Sequence, residues 1–561
     1  MKILDKLSFI GEDTRTRRFL LPRRIVWTCG DVYGVENLLA EKSLQIGLEE
    51  TTVTTLKNGP EGQNASVVLD FGVEINGSAR VLAADTALGS YRNIRLVFGE
   101  SVAEAMSDAG IKNATNDHAM RDMLVGIPFL SDQEFAQTGF RFLRVELMGA
   151  NAQADIKSIL AVFVYRDIEY LGSFECSDSR LNDIYNTAAY TCHLNMQMLL
   201  WDGIKRDRLV WIGDMHPEML TIRSVFGGHP IVEESLDFVM SQTPLPGWMN
   251  GLPTYSMWWV LIVWDWYWYT GDVSFLKARQ DYMVPLLRQL AGLVNDDGSD
   301  SIPEYFLDWP TRGTASAISG SRSLLRMALA KGALIAELYE EEFAIKNICT
   351  AALQRLTTIQ LENHGGSKQS AAFMAMSCPA TQESIVKDVL LKDGPRGLST
   401  FLSYYVLTTM ADAGYQEEAI RQLREYYGAM LDCGATTFWE DFDIGWIQKP
   451  GRIDEPVLPG GYDLHGDNGA FCYTGYRHSL CHGWASGPVT FLAEQVLGIR
   501  IMAPGCRKLS IKPYLGELDW AQGTFPTPYG VVYVRHDKGL DEKIITKVTA
   551  PDEITIIGDM V

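Results

Sequence analysis

Three patterns of apolar and polar positions succeed one another along the chain. From about Arg18 to Asp167, short runs alternate between apolar and polar residues, the period of half-buried strands. SVVLDFGVEINGSARVLAAD alternates and contains Asn76-Gly77, a hairpin turn signal. NIRLVFGES, RFLRVELMG and DIKSILAVFVYRD read as further short strands. The stretch from Asp108 to Asp132 is polar with scattered apolar residues and reads as a long connection. Its lone His118 reads as a polar loop residue rather than a ligand. Short strands separated by Gly, Asn and Asp predict a β-sandwich.

From about Ser177 to Leu497 the spacing becomes helical. PIVEESLDFVMSQ, VSFLKARQDYMVPLLRQLAGLVN, SRSLLRMALAKGALIAELYEEEFAIKNICTAALQRL, ESIVKDVLLKD, LSTFLSYYVLTTMADAG and YQEEAIRQLREYYGAMLDCG are such runs, divided by loops rich in Gly, Pro, Trp and Asp. Long helices alternating with aromatic loops suggest helix pairs wound into a toroid. From about Gly498, alternating runs broken by Pro and Gly return, and KIITKVTAPDEITIIGD adds two more strands. The expected fold is therefore multidomain. An N-terminal antiparallel β-sandwich occupies 1–172, an (α/α)6 toroid that would carry catalysis 173–497, and a C-terminal antiparallel β-sandwich 498–561.

The loops of the helical domain are where chemistry would sit. Trp201 to Glu218, WDGIKRDRLVWIGDMHPE, crowds Asp202, Asp207 and Asp214 together with Lys205, Arg206, Arg208, Trp201 and Trp211. Its apolar residues fit neither a helical nor a strand period, but helical runs flank it, with Asp214 placed as an N-cap and His216 and Pro217 in the first turn. Carboxylates bond hydroxyls or move protons, and indole faces stack on sugars, so this loop reads as a sugar site. A solvated turn with surface ion pairs is the bland alternative. The loop GATTFWEDFD places Glu440 beside Trp439, where burial would raise its pKa or demand a bonded partner. PEYFLDWPTRG holds Trp309, and RHSLCHGWASGP holds His478, His482 and Trp484. The run from Met257 to Tyr269 carries five tryptophans, too many to be all core, and Trp258 is taken as able to face a cavity. Two carboxylates brought across a hollow from distant loops are what glycoside hydrolysis needs: one protonates the leaving oxygen and the other activates water or attacks.

Composition narrows the partners. In 561 residues, 70 acids against 49 bases give a net charge of −21, which disfavours nucleic acid and anionic membranes and suits a neutral ligand. The densest apolar run is too short for a bilayer and contains Asp265. Nine scattered cysteines without a C-x-x-C pair read as reduced thiols. With no apolar leader at the N-terminus, the expectation is a cytoplasmic protein, or a periplasmic or secreted one if a leader has been removed. No H-E-x-x-H, P-loop, G-x-S-x-G or dinucleotide fingerprint is present, so neither metal nor cofactor is expected. Oligomeric state stays open, a homo-oligomer included.

These loops, in this order, resemble the family 78 glycoside hydrolases, the α-L-rhamnosidases. RDRLVWIGD resembles the family's R-D-E-R-L-G-W-T-G-D, GATTFWEDFD its G-A-T-T-x-W-E, and HSLCHGWASG its later S-x-N-H loop. LGIRIMAPGCRKLSIKPYLGELDWAQGTFPTPYG resembles the start of its C-terminal β domain. The resemblance implies an (α/α)6 barrel with flanking β-sandwiches and inverting, cofactor-free hydrolysis of terminal α-L-rhamnosides. It makes Glu440 the general base and places Asp202, Trp211, Asp214, Trp309 and His482 on the sugar; Arg206, Trp258, Trp439 and Trp484 complete the expected site. The family has Asp-Glu between its arginines, the Glu being the acid, whereas this chain has only Asp207. Either a residue is deleted, or the acid has become Asp207, or Glu218 or another acid substitutes, or hydrolysis is lost. A sugar-binding protein without turnover and a phosphate-using (α/α)6 enzyme, with Lys205 and Arg206 as its basic cluster, are the alternatives. The long polar segment between Glu440 and His482 is expected to reshape the pocket.

Overall fold

The structure is a computed structural model and describes residues 3, 7, 8, 10–85, 91–339, 343–358 and 364–558. The N-terminal sheet is organised by three long antiparallel strands, Ser66–Ala83, Asp132–Leu147 and Gln153–Tyr165. Their alternating apolar side chains, among them Val67, Leu69, Leu143, Val145, Ile159 and Ala161, enclose a separate core. Asn76-Gly77 does not turn the chain but lies inside the first of these strands. A Cβ on Gly77 would stand 2.0 Å from the Val162 carbonyl oxygen, so the glycine serves close strand approach instead. The connection expected between Asp108 and Asp132 also contains a strand, Asp122–Pro128, paired with Tyr91–Val97. Met123, Val125 and Ile127 give it one apolar face, which its polar flanks hide in the sequence.

Among the described residues, twelve helical segments of nine or more residues run from Ser179 to Val496, the content of six helical hairpins. They share one large core with the C-terminal strands. Pro253–Thr270 is apolar on every side and buried nearly throughout. The Met257–Tyr269 tryptophans are thereby mostly core, contrary to the expected cavity-facing role. The apolar run from Ser321 to Leu356 divides into two helices, Ala315–Leu338 and Phe343–Thr357; positions 340–342 within it lie outside the described residues.

The C-terminal part is two sheets, and one takes a strand from elsewhere. Ser173–Cys176, which precedes the first helix, pairs with Trp520–Thr527. The chain thus starts and closes the helical domain against the same sheet. The other sheet is not wholly antiparallel: Thr555–Ile557 lies parallel to Lys508–Ile511. Long-range ties also bind the N-terminal sheet to the helical domain. The Arg141 guanidinium grips the Asp70 carboxylate with two hydrogen bonds and donates to the Gly434 carbonyl at 3.0 Å. Gly139 N–H donates to the Ile204 carbonyl at 2.9 Å, and Arg208 to the Gln137 carbonyl at 3.0 Å. Both N-terminal partners belong to Asp132–Leu147, so the loop that carries Asp207 is clamped by a strand of another domain.

Candidate active site

Three loops are laced together by backbone bonds. Asp202 N–H donates to the Leu209 carbonyl, Gly483 N–H to that of Asp202, and His482 N–H to that of Phe438. The Asp202 carboxylate accepts the Leu209 N–H at 3.0 Å, closing the 202–209 loop on itself. At its tip Asp207 and Arg208 hold φ near +52° and +57°, a conformation that side chains adopt at a cost and that functional loops tolerate. The helix after the loop begins at Ile212, with Trp211 as N-cap rather than Asp214. Asn250 supplies the acceptor for Ile212 N–H at 3.0 Å. Asp214 lies in the first turn, where the positive end of the helix faces it, and Glu218 follows one turn on along the same face.

The carboxylate of Glu440 is fixed from both sides. Oε1 accepts Arg206 Nη2 at 2.5 Å and Oε2 accepts Ser479 N–H at 3.0 Å. Its backbone is held as well: the carbonyl accepts Trp484 Nε1 and Thr400 Oγ1, and its N–H donates to Ser479. Arg206 also donates through Nη1 to Asp207 Oδ1 at 3.0 Å and through Nε to the Arg477 carbonyl at 2.8 Å. One guanidinium therefore joins its chain neighbour Asp207 to Glu440, which lies 234 residues from Arg206. His482 Nε2 lies 3.7 Å from Asp202, 3.8 Å from Asp214 and 3.8 Å from Glu440. Asp202, Arg206, Asp207, Asp214, Glu440 and His482 thus form one cluster.

Burial sets the charge states. It raises Asp202 well above the usual carboxylate range, helped by the charges of Asp214 and Asp207. It raises Asp214 likewise, against backbone bonding and a 3.3 Å bond from Tyr255. Burial, then the nearby Arg206 charge, lowers His482 well below the ordinary histidine value. Burial therefore favours the neutral forms of the acids and of the imidazole on the floor of the site, forms able both to donate to and accept from sugar hydroxyls. The buried Nε1 of Trp211 and Nδ1 of His482 have no protein partner. Unspent polar atoms of this kind await a ligand or water.

The aromatic wall passes from Trp211 through Tyr255 and Phe306 to Trp309 in edge-to-face contacts of 5.4–6.0 Å. Phe471 stacks on Trp309, and Tyr473 meets its edge. Both come from the long polar segment between Glu440 and His482, which also ties to the N-terminal domain through Asp463 and Lys112 at 3.0 Å. A hollow of about 590 Å³ opens beside Phe471, Trp446 and Asp441. Burial and the charges of Asp308 and Glu440 push Asp441 up to about 7.

Three of the expected tryptophans make packing contacts outside the wall from Trp211 to Trp309. Trp258 packs on His216, Phe373 and Tyr405 in the core, because its helix is buried on every face. Trp439 packs on Phe442 and His478, against the loop that carries Glu440. Trp484 is sandwiched between Phe401 and His482 and steadies Glu440 through its Nε1. Lys205 and Arg206 offer no phosphate cradle. Lys205 is buried between Glu100 and Glu104, 3.0 and 3.2 Å away, and Arg206 is paired as above. Glu100, Glu104 and His465 form the one described group whose atoms could surround a metal ion. The Lys205 ammonium already supplies a cation there.

Sequence reasoning missed Tyr255, Ser479, Thr400 and His118. The first three act through hydrogen bonds to Asp214 or Glu440 that no spacing announces. His118, read as an unremarkable loop residue, stands 3.4 Å from Asp207. From Arg208 to Asp214 the chain keeps the family's R-L-x-W-x-G-D spacing, and Asp207 is the acid that directly precedes that stretch. Glu218 is not a substitute: its Oε1 is buried without a partner beneath Gly483, where a Cβ would stand 1.6 Å from it. Burial raises its pKa well above the usual range. Such an acid holds more protons folded than unfolded, so it weakens the fold as pH climbs from about 4.3 towards its folded value. Glu218→Gln should keep kcat within about twofold of wild type, since Glu218 touches none of the reacting groups. Its urea midpoint relative to wild type should rise between pH 5 and pH 8; a large loss of turnover would instead make Glu218 the acid.

Residues 169–329 match the model of the bacterial α-L-rhamnosidase six-hairpin glycosidase domain, and residues 498–557 that of the bacterial α-L-rhamnosidase C-terminal domain. A curated α-L-rhamnosidase from Formosa agariphila is 34% identical over 85 residues, 15% of this chain and 9% of that protein. Among solved structures, a family 78 rhamnosidase of Bacillus sp. GL1 superposes with a TM-score of 0.75 at 21% identity, covering 93% of this chain and 55% of its own. The chain thus spans about half the length of that relative and a small part of the curated one. A Klebsiella oxytoca rhamnosidase with rhamnose bound gives a TM-score of 0.63 at 20% identity, covering 86% of this chain and 96% of its own. These structural likenesses establish the toroid with its flanking β domains. On that fold, two domain models of one family are matched in order, and residues 169–329 and 498–557 are similar to the six-hairpin and C-terminal domains of the bacterial α-L-rhamnosidases.

Proposed function

We propose that this chain is an inverting exo-glycosidase that hydrolyses terminal α-L-rhamnosides or a closely related sugar, with Asp207 as general acid and Glu440 as general base. The observation that carries the proposal is the Arg206 guanidinium shared by Asp207 and Glu440 above a floor of buried acids and beside an aromatic wall. Two hydrogen bonds to one planar fork keep the nearest carboxylate oxygens within about 8 Å of each other. Inverting glycosidases separate their carboxyl groups by roughly 6.5–9.5 Å to seat a water. Asp207 would protonate the glycosidic oxygen as the C1–O bond breaks. Glu440 would take a proton from the water that attacks C1 from the opposite face. Asp202, Asp214 and His482 would bond the ring hydroxyls, and Trp211 and Trp309 would cover the apolar face of the sugar.

A second reading, a sugar-binding protein without turnover, is favoured by Arg206 itself. A guanidinium bonded to both carboxylates fixes them in one network, as suits a site that holds a sugar by hydrogen bonds alone. A screen of nitrophenyl glycosides followed by proton NMR of the product separates the two. Nitrophenol release from the α-L-rhamnoside with β-L-rhamnose formed first is expected. The α anomer formed first would establish retention; sugar binding by calorimetry without release would establish the second reading.

A further inference from the structure

The loop from Ser101 to Asp122 belongs to the N-terminal domain, yet its tip lies over the proposed acid. His118 holds φ near +62° and presents Nε2 at 3.4 Å from Oδ1 of Asp207. That distance lies in ion-pair range, and catalytic hydrogen bonds that are long without substrate tighten when it binds. The tip is fastened to the segment that also shapes the pocket. Asp117 pairs with Arg477 at 3.1 Å, Asn113 Nδ2 donates to Thr474 Oγ1 at 3.0 Å, and Asn116 Oδ1 accepts the Arg121 and Asp122 N–H groups at 2.9 Å. The imidazole is therefore delivered by a braced loop rather than by a free surface side chain.

The contacts on Asp207 are uneven. Oδ1 faces both Arg206 Nη1 at 3.0 Å and His118 Nε2 at 3.4 Å. Oδ2 has no hydrogen-bond partner among the described residues. An oxygen facing a guanidinium N–H and an imidazole nitrogen that can carry a hydrogen is a poor place for a proton, because a protonated oxygen would turn its hydrogen towards donors. The side chain is partly exposed, so Oδ2 is open to a substrate.

We propose that His118 is a positioning residue for the general acid: together with Arg206 it occupies Oδ1 of Asp207 and so reserves Oδ2 as the oxygen that carries the proton to the leaving group. This rests on the hydrolytic reading of Asp207. In the step itself, the Oδ2 proton passes to the glycosidic oxygen, the C1–O bond breaks with its electron pair going to that oxygen, and Asp207 is left as the carboxylate. The Nε2–H of His118 stays on Oδ1 throughout and stabilises the charge that appears.

Leaving-group dependence tests the proposal. An alkyl α-L-rhamnoside needs the acid in full, whereas a dinitrophenyl α-L-rhamnoside leaves with little protonation. His118→Ala is expected to lower kcat on the alkyl glycoside by about 10- to 100-fold, the order of a misplaced catalytic group, and to leave the dinitrophenyl rate within about twofold. KM for both should stay within about threefold. His118→Gln, which can keep an N–H near Oδ1, should restore most of the alkyl activity. Equal losses on both substrates, or no loss on either, would overturn the proposal. Wild-type protein that cleaves neither glycoside would refute the hydrolytic reading instead. In that case the contact is read directly: the ring nitrogen resonances of His118 should move in Asp207→Asn, and unmoved resonances would overturn the positioning role on their own.

Discussion

Glu440→Gln is expected to lower kcat on nitrophenyl α-L-rhamnoside by about 10³-fold, within the 10²–10⁴ that a positioned general base contributes, with KM changed by less than about threefold. The buried acids beside it are poor replacements. Burial disfavours the anions of Asp202 and Asp214, which makes both weaker proton acceptors than Glu440 needs to be. His482 is disfavoured as a cation by burial and by Arg206. The substitution is not free of structural cost. Each oxygen of Glu440 accepts an N–H, from Arg206 and from Ser479, so an amide nitrogen must face one of those donors. That mismatch costs about 1–3 kcal/mol, the penalty of an unsatisfied buried group. Arg206 itself keeps Asp207 and the Arg477 carbonyl, so the fold should survive. Rhamnose binding by calorimetry and an unchanged circular dichroism spectrum then show that the loss is chemical. A variant that retains more than about a tenth of wild-type turnover would remove Glu440 from the mechanism, since even the weakest general base contributes more than that.

How much of this was legible in the sequence differs by element. The order β, α, β was legible because period-two and helical spacings are properties of local sequence. The loops carrying Asp207, Glu440 and His482 were legible because acids, arginine and tryptophan crowd into stretches that fit no period. What lay hidden depends on partners distant in the chain. Gly77 signals a hairpin locally, but the approach of Val162 decides its role. Trp258 looks available for stacking until the burial of its helix on every side takes it into the core. Asp214 resembles an N-cap, yet Asn250 completes the helix start two residues earlier. His118 is silent in sequence, because its meaning is a contact between domains 89 positions apart from Asp207 in no shared motif.

Lys205→Met is expected to be among the most destabilising single changes in the chain. The ammonium of Lys205 is buried and lies 3.0 Å from Glu100 and 3.2 Å from Glu104, and it donates to the carbonyls of Tyr476 and His478 at 2.9 and 2.5 Å. It thus fastens the loop next to Arg206 to the N-terminal domain on one side and to the segment before His482 on the other. Glu104 keeps its charge, because Lys205, His465 and Arg121 outweigh its burial. Glu100 must share the same ammonium, and burial pushes it up to about 7. Removing the cation strands both carboxylates, and breaking a buried pair in this way costs about 3–5 kcal/mol. Methionine fills most of the volume, so the loss is electrostatic rather than a cavity. The pH dependence follows in sign. Without Lys205 the folded pKa of Glu100 rises further above its unfolded value, so protonation relieves the variant at low pH and its deficit grows as pH rises past about 4.3. The melting temperature should therefore fall by roughly 3–4 °C at pH 8 and by less at pH 5. Turnover should fall in parallel, because Arg206 and Asp207 follow Lys205 directly in the loop that it anchors. An equal deficit at both pH values would mean that packing, and not the stranded acids, is what Lys205 supplies.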